Sequence, residues 1–262
     1  MMNDFLLSTF IEWAPAVVPY AYPHHYHIGL VILSYLVSFV GSYASLCFVT
    51  QALNQEKKEK RIPWLLIAAI TAGGCAIWTM HFIGMMALNI GMDVYYDLSL
   101  TLVSMLLAIL ATGIGLLIIG LREKTWPRLL LAGLFMGAGI AMMHYTGMAA
   151  MILDAKMTYR PFLFSLSIAI AILASIAALW LFFNVKGKGK KMLSAMMMGI
   201  AVCGMHYTGI AAAVFTPLPF FPKEGLDNLN VQKADFILYI VIAIIFNLSL
   251  LVFITMQEQE VD

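Results

Sequence analysis

Long apolar runs alternate along the chain with short polar ones. Seven stretches, approximately 28–50, 64–88, 98–119, 129–152, 162–183, 192–214 and 236–256, contain no Asp, Glu, Lys or Arg. A bilayer core of roughly 30 Å needs about 20 apolar residues per helix, and each stretch meets that length. The segments between them carry charges and turn formers, as in "NQEKKEKRIP", "GLREKTWPR" and "NVKGKGKK". The pattern predicts an all-α polytopic membrane protein of seven transmembrane helices. The expected organisation is an N-terminal segment 1–27, a membrane domain 28–256 and a short tail 257–262.

The runs also repeat. His81, His144 and His206 are separated by 63 and 62 residues. Each is preceded by a methionine (Met80, Met143, Met205) and followed by an aromatic residue (Phe82, Tyr145, Tyr207). A glycine follows three residues later (Gly84, Gly147, Gly209), and another lies seven before (Gly74, Gly137, Gly199). The preceding runs "SYLVSFVGSYASL" (34–46), "SMLLAILATGIGL" (104–116) and "SIAIAILASIAAL" (167–179) share a first serine and a Ser or Thr eight residues on. The bundle is therefore expected to be three related helical hairpins plus a seventh helix. All copies keep one orientation, as parallel repeats do.

Composition supports this picture. The chain of 262 residues is 62% hydrophobic and 11% charged, where a soluble domain carries about 25% charged residues. Lipid is the expected surrounding, and with no basic tract and a net charge of +1 no nucleic-acid partner is expected. Eleven of the fifteen basic residues fall in the loops after runs 1, 3 and 5. The positive-inside bias then puts the N-terminus outside and the C-terminus inside. The N-terminus has no basic region ahead of an apolar one, so no cleavable signal is expected. Cys47, Cys75 and Cys203 lie in apolar runs without CxxC pairing, which argues against a disulfide framework.

The histidines carry the candidate chemistry. They lie twelve, ten and eleven residues before Asp93, Asp154 and Pro217. At 1.5 Å rise per residue, all three sit about 15 Å from those boundaries, in one layer of the outer half. One turn on, at i+4, stand Met85 and Met148, with Ile210 in the third copy; Cys203 precedes His206 by about a turn. Thioether and thiolate donors select Cu(I), and imidazole accepts copper, zinc or iron. Copper is the best fit by ligand type, with zinc or haem behind it. His24, His25 and His27, in "YPHHYHIG", either gather copper at the outer mouth or form an interfacial belt. A lone intramembrane histidine is as often a helix–helix contact; three at one depth favour a shared site. Methionine is also a plain filler here, as "AMMMGI" shows. The glycines read as packing devices, and Tyr145 and Tyr207 read first as packing.

"MHYTG" at 143–147 and 205–209, with "MHFIG" at 80–84, resembles the signature of the MHYT domain family. "LSYLVSFVGSYASL" is similar to that family's opening helix. The resemblance implies a module of the bacterial plasma membrane, usually placed before a signalling output domain. It implies copper held near the outer face by Met80, His81, Met143, His144, Met205 and His206, and a response to O2, CO or NO. The first copy departs from the signature at Phe82 and Ile83. The chain ends at "MQEQEVD", so the expectation is a non-enzymatic, stand-alone sensor that passes its signal to a separate partner protein. Two alternatives stand beside it. One is copper delivery or transport for a membrane copper enzyme. The other is an intramembrane zinc hydrolase, for which the runs supply no carboxylate base.

Overall fold

The computed structural model describes residues 12–15, 21–22, 25–217 and 230–259. Among these, six helices are long and apolar enough to cross a membrane: α1 (Ile28–Asn54), α2 (Lys58–Ala87), α3 (Leu98–Gly120), α4 (Trp126–Ala149), α5 (Pro161–Asn184) and α6 (Lys188–Ala212). The seventh, α7 (Lys233–Gln259), carries a shorter apolar stretch, Asp235–Leu250. The chain is thus an all-α polytopic membrane protein, in which α1–α2, α3–α4 and α5–α6 form three hairpins.

Its polarity is inverted relative to a soluble bundle. Leu106, Leu110, Phe135 and Leu173 are exposed, while Ser34, Ser38, Ser42, Ser45, Thr112, Ser167, Ser175 and the three histidines are buried. On α1 the buried serines recur every three or four residues and so share one helical face. Polar groups turned inward and hydrocarbon turned outward is the arrangement a lipid solvent imposes.

Short strands tie each hairpin at the end where the even-numbered helices finish. β1 (His25–Tyr26) pairs antiparallel with β2 (Leu88–Asn89), so the chain entering α1 is bound to the chain leaving α2. β3 (Tyr95–Asp97) and β4 (Met151–Ile152) bind α3 to α4 in the same way, and β5 (Ala155–Tyr159) and β6 (Ala213–Pro217) bind α5 to α6. β7 (Asn230–Gln232), which leads into α7, adds to the free edge of β3. Glu12–Pro15 lies along β5, with Ala14 N–H donating to Tyr159 O at 2.8 Å. The Asp97 carboxylate caps α3 by accepting from Leu100 N–H. Gly91 adopts a left-handed φ of 73°, its N–H bonded to Asn89 Oδ1, in the turn between β2 and β3.

Helix α2 is not uniform. Residues Ile70–Trp78 form a π-helical stretch. It contains the Gly73–Gly74 pair, whose low helix propensity makes a widened turn cheap. Gly73 lies so close to α3 that a Cβ there would stand 2.6 Å from Ala108 O. The equivalent point at Gly74 is in ordinary contact with Ile109 at 3.5 Å. The glycine that repeats in the sequence, Gly74, is therefore not the one on which α3 closes.

The helices also run further than the uncharged stretches at one end and stop sooner at the other. Lys58–Arg61 and Pro63 form the first turns of α2, and Pro63, the sixth residue of the helix, removes the N–H that would bond back to the Glu59 carbonyl. At the far end the chain leaves helix early to enter the strand pairs. His81, His144 and His206 consequently lie six, five and six residues from the ends of their helices, about 8–9 Å of helical rise. The expected 15 Å counted strand residues as helix.

Candidate metal centre

The three even-numbered helices bring their histidines to one point. All three side chains are fully buried, and their ligand atoms lie within 4.8 Å of one another. The Nδ1 atoms are closest: 3.0 Å from His81 to His206, 3.1 Å from His144 to His81, and 3.4 Å from His206 to His144. The rings meet edge to face in every pair, at centroid distances of 4.9–5.2 Å. Three imidazoles thus form a propeller with Nδ1 at its hub.

Hydrogen bonding cannot satisfy that hub. A neutral imidazole nitrogen carries either a proton or a lone pair, never both. With three nitrogens in a triangle, any placement of protons leaves two like faces opposed. A cation at the centre accepts all three lone pairs at once, with each ring's proton then on Nε2. The donor set therefore fits a metal ion.

Each ring is seated by the next hairpin. His81 Nε2 lies against Gly147, His144 Nε2 against Gly209, and His206 Nε2 against Gly84, so closely that a Cβ at any of these glycines would occupy the ring's place. The relation runs hairpin 1 to 2, 2 to 3 and 3 to 1. None of the three Nε2 atoms has a hydrogen-bond partner among the described residues. Packing against these glycines, rather than a hydrogen bond from Nε2, fixes ring orientation. The repeated glycine three residues after each histidine is thus part of the centre.

The aromatic residue after two of the histidines, and Trp78 in the first repeat, close the same cycle. Tyr145 O–H lies 2.5 Å from Ser167 Oγ and Tyr207 O–H 3.0 Å from Ser34 Oγ. Ser167 and Ser34 already donate to Phe164 O and Val31 O, so the tyrosines are the donors. Phe82 has no hydroxyl to offer Ser104. Trp78, one turn earlier, donates its indole N–H to Ser104 Oγ at 3.0 Å instead. The first serine of each repeat, visible in the sequence only as a marker of repetition, is the acceptor that latches one hairpin to the next. The tyrosines do more than pack, and the substitution of Trp78 had no sequence signal beyond the departure at Phe82.

Met80, Met143 and Met205, with Met85 and Met148, are buried in the apolar interior. Cys203 stands outside the histidine group, with its thiol against the Ser34 hydroxyl. His25 and His27 are exposed at the mouth, and His27 N–H donates to Ala87 O. His24 lies outside the described residues. Between mouth and centre, Tyr26 packs edge to face on Tyr207 at 5.6 Å. Burial, and then the neighbouring Tyr207, push the Tyr26 phenol up to about 12.

Below the centre lies an apolar cavity. Ile77, Ile140 and Val202, each four residues before a histidine, stand among its lining residues, with Met205 beside them.

Comparison with known proteins agrees with this anatomy. The MHYT family, described as a bacterial signalling protein N-terminal repeat, matches residues 74–132 and 137–195. Each match begins on a glycine seven residues before a histidine of the triad. The bifunctional diguanylate cyclase/cyclic di-GMP phosphodiesterase MucR of Pseudomonas aeruginosa is 41% identical over 78% of this chain and 30% of its own length. The signaling protein YkoW of Bacillus subtilis is 35% identical over 72% of this chain and 24% of its own. The cyclic di-GMP phosphodiesterase NbdA of P. aeruginosa is 33% identical over 76% and 26% respectively. The chain spans 24–30% of the length of these curated relatives. No solved structure matches it.

Proposed function

The chain belongs to the MHYT family of bacterial signalling proteins, and on that premise we propose that it is a membrane sensor whose histidine triad holds copper in its monovalent state. The observation that carries this reading is the convergence of three Nδ1 atoms in a buried shell where no carboxylate joins them among the described residues. The desolvation cost of an ion rises with the square of its charge, so burying Cu(I) costs about a quarter of what a divalent ion costs. Three neutral imidazoles return no counter-charge, which favours the monovalent ion. Imidazole with nearby thioethers suits copper, and Met80, Met143 and Met205 are the proposed thioether donors.

Copper bound there would supply an open coordination position for O2, CO or NO. The chain's own residues do the rest. His81, His144 and His206 hold the ion, and Gly147, Gly209 and Gly84 fix the rings. The apolar layer below keeps water out and makes an ion path along the axis unfavourable, which supports sensing over transport. One ligand comes from each hairpin, so a change in coordination becomes a change in how the hairpins sit together. We assign the histidine end to the outer side of the bacterial plasma membrane from the charge bias of the loops. The readout is proposed to be a signalling output of the kind named for the relatives, cyclic di-GMP turnover.

The test is metal analysis of protein purified without chelators, beside a variant carrying His81→Ala, His144→Ala and His206→Ala. Stoichiometric copper in the parent and none in the variant is expected. Equal copper in both, or none above background in the parent, ends this reading.

A further inference from the structure

The cavity below the triad has properties that the metal centre does not require. It measures about 40 Å³, counted over the positions that the centre of a water-sized sphere can take. One water needs roughly 10–15 Å³ in that measure, together with two to four polar partners. Here the walls are Ala72, Ala76, Met136, Ala171, Ala178 and Met198 and similar apolar side chains, relieved by the hydroxyl-bearing Ser42 and Ser175. Two hydroxyls are the lower limit of what one water needs, and every other lining side chain is apolar, so the space favours an apolar occupant.

Three features mark it as more than a packing defect. Ile77, Ile140 and Val202 lie four residues, about 6 Å of helical rise, below His81, His144 and His206, which centres the cavity under the Nδ1 hub. Ser175 is 2% exposed, lines the space, and its hydroxyl has no hydrogen-bond partner among the described residues. An unpaired buried hydroxyl costs on the order of 1–3 kcal/mol, and a ligand with one weakly polar atom would recover part of it. Lastly, Ala174, Ala201 and Val202 are only half-buried, so the wall between α5 and α6 is thin toward the lipid.

We propose that this cavity is a binding chamber for an uncharged molecule of diatomic size, taken up laterally from the hydrocarbon of the bilayer and held beneath the histidine hub. An ion or an organic solute is excluded by the largely apolar walls and the volume. A small apolar gas is more soluble in hydrocarbon than in water, and the thin α5–α6 wall faces hydrocarbon. The chamber rests on the proposed sensing role for its purpose, but its occupancy needs no metal.

Xenon is the probe, since dry apolar cavities bind it. Full-length protein with 13C-methyl-labelled Met and Ile is titrated with xenon in detergent, before and after copper loading. The methyls of Ile77, Ile140, Met198 and Met205 are expected to shift with a saturable dependence on xenon pressure. Those of Met192 and Met197, which are exposed to the detergent, should shift linearly. Ala178→Leu, which places three more carbons in the cavity, should remove the saturable component while the copper content is retained. A linear response at all six methyls overturns the chamber, whether or not that variant folds. Saturable xenon binding in protein that takes up no copper would retain the chamber and remove the copper reading, so the two failures are distinguishable.

Discussion

Gly147 has no side chain, and that is what lets His81 reach the hub. A Cβ at this position would take the place of Nε2, so Gly147→Ala must displace the ring. Copper affinity is expected to fall by roughly 10–100-fold, as it does when other ring-orienting groups are lost; a competition titration with a Cu(I) chelator measures this. Gly84→Ala and Gly209→Ala should behave alike, because the cycle treats the three equally. The latches are testable at the same scale. Tyr145→Phe and Trp78→Phe each remove one donor to a buried serine, at a cost of about 1 kcal/mol, or a fall of roughly 2–4 °C in Tm. Adding Phe82→Tyr to Trp78→Phe should restore most of that loss, whereas Phe82→Tyr alone should gain little. The histidines were legible because three equally spaced ionisable residues in hydrocarbon are rare. The glycines were legible only as small residues, since nothing in a sequence says which neighbouring ring a missing Cβ makes room for. Cys203 looked equivalent to Met85 by turn counting, but its thiol lies beside the Ser34 hydroxyl, a residue 169 positions away in the chain.

The elements divide by how strongly their pattern speaks. Six long apolar helices were readable because each run exceeds the bilayer thickness. The strand pairs were not, since two to five residues cannot show a period of two. The π stretch in α2 was equally silent, and it produces a sharp contrast. Gly73→Ala drives a Cβ into the backbone of α3 and is expected to destabilise by about 1–3 kcal/mol; Gly74→Ala meets only ordinary contact and should be close to neutral. Thermal unfolding in detergent separates them, and equal effects would contradict the assignment. The β1 clasp has its own signature. Burial raises the Tyr26 phenol to about 12, so the folded state favours the protonated form. The contribution is present below the ordinary tyrosine range near 10 and is lost as pH rises through about 12. Phenolate absorbance should therefore titrate late for Tyr26, and Tyr26→Phe should flatten the fall in stability over that window.

At the scale of the molecule, three hairpins close a ring that no one of them can form. The hub needs one nitrogen from each, the glycine seats run 1 to 2 to 3 to 1, and the serine latches follow the same direction. An ion at the centre binds only the closed ring, so it should stabilise the fold by mass action, by about 2.7 kcal/mol at a hundredfold excess over its Kd. A rise in Tm with Cu(I) that vanishes in His144→Ala would display that coupling, and an unchanged Tm in the parent would deny it. The sequence announced the repetition, but not that its copies interlock, because interlocking is a property of distances between residues 22 to 173 positions apart on different hairpins. The central claim, one reduced copper ion held by three imidazoles, is most directly tested by X-ray absorption at the copper edge on dithionite-reduced protein. Expected are a Cu(I) edge, three nitrogen neighbours at about 2.0 Å and the multiple-scattering pattern of imidazole, all lost in the triple-histidine variant. A sulfur-dominated shell, or a spectrum indifferent to the loss of the histidines, would contradict it.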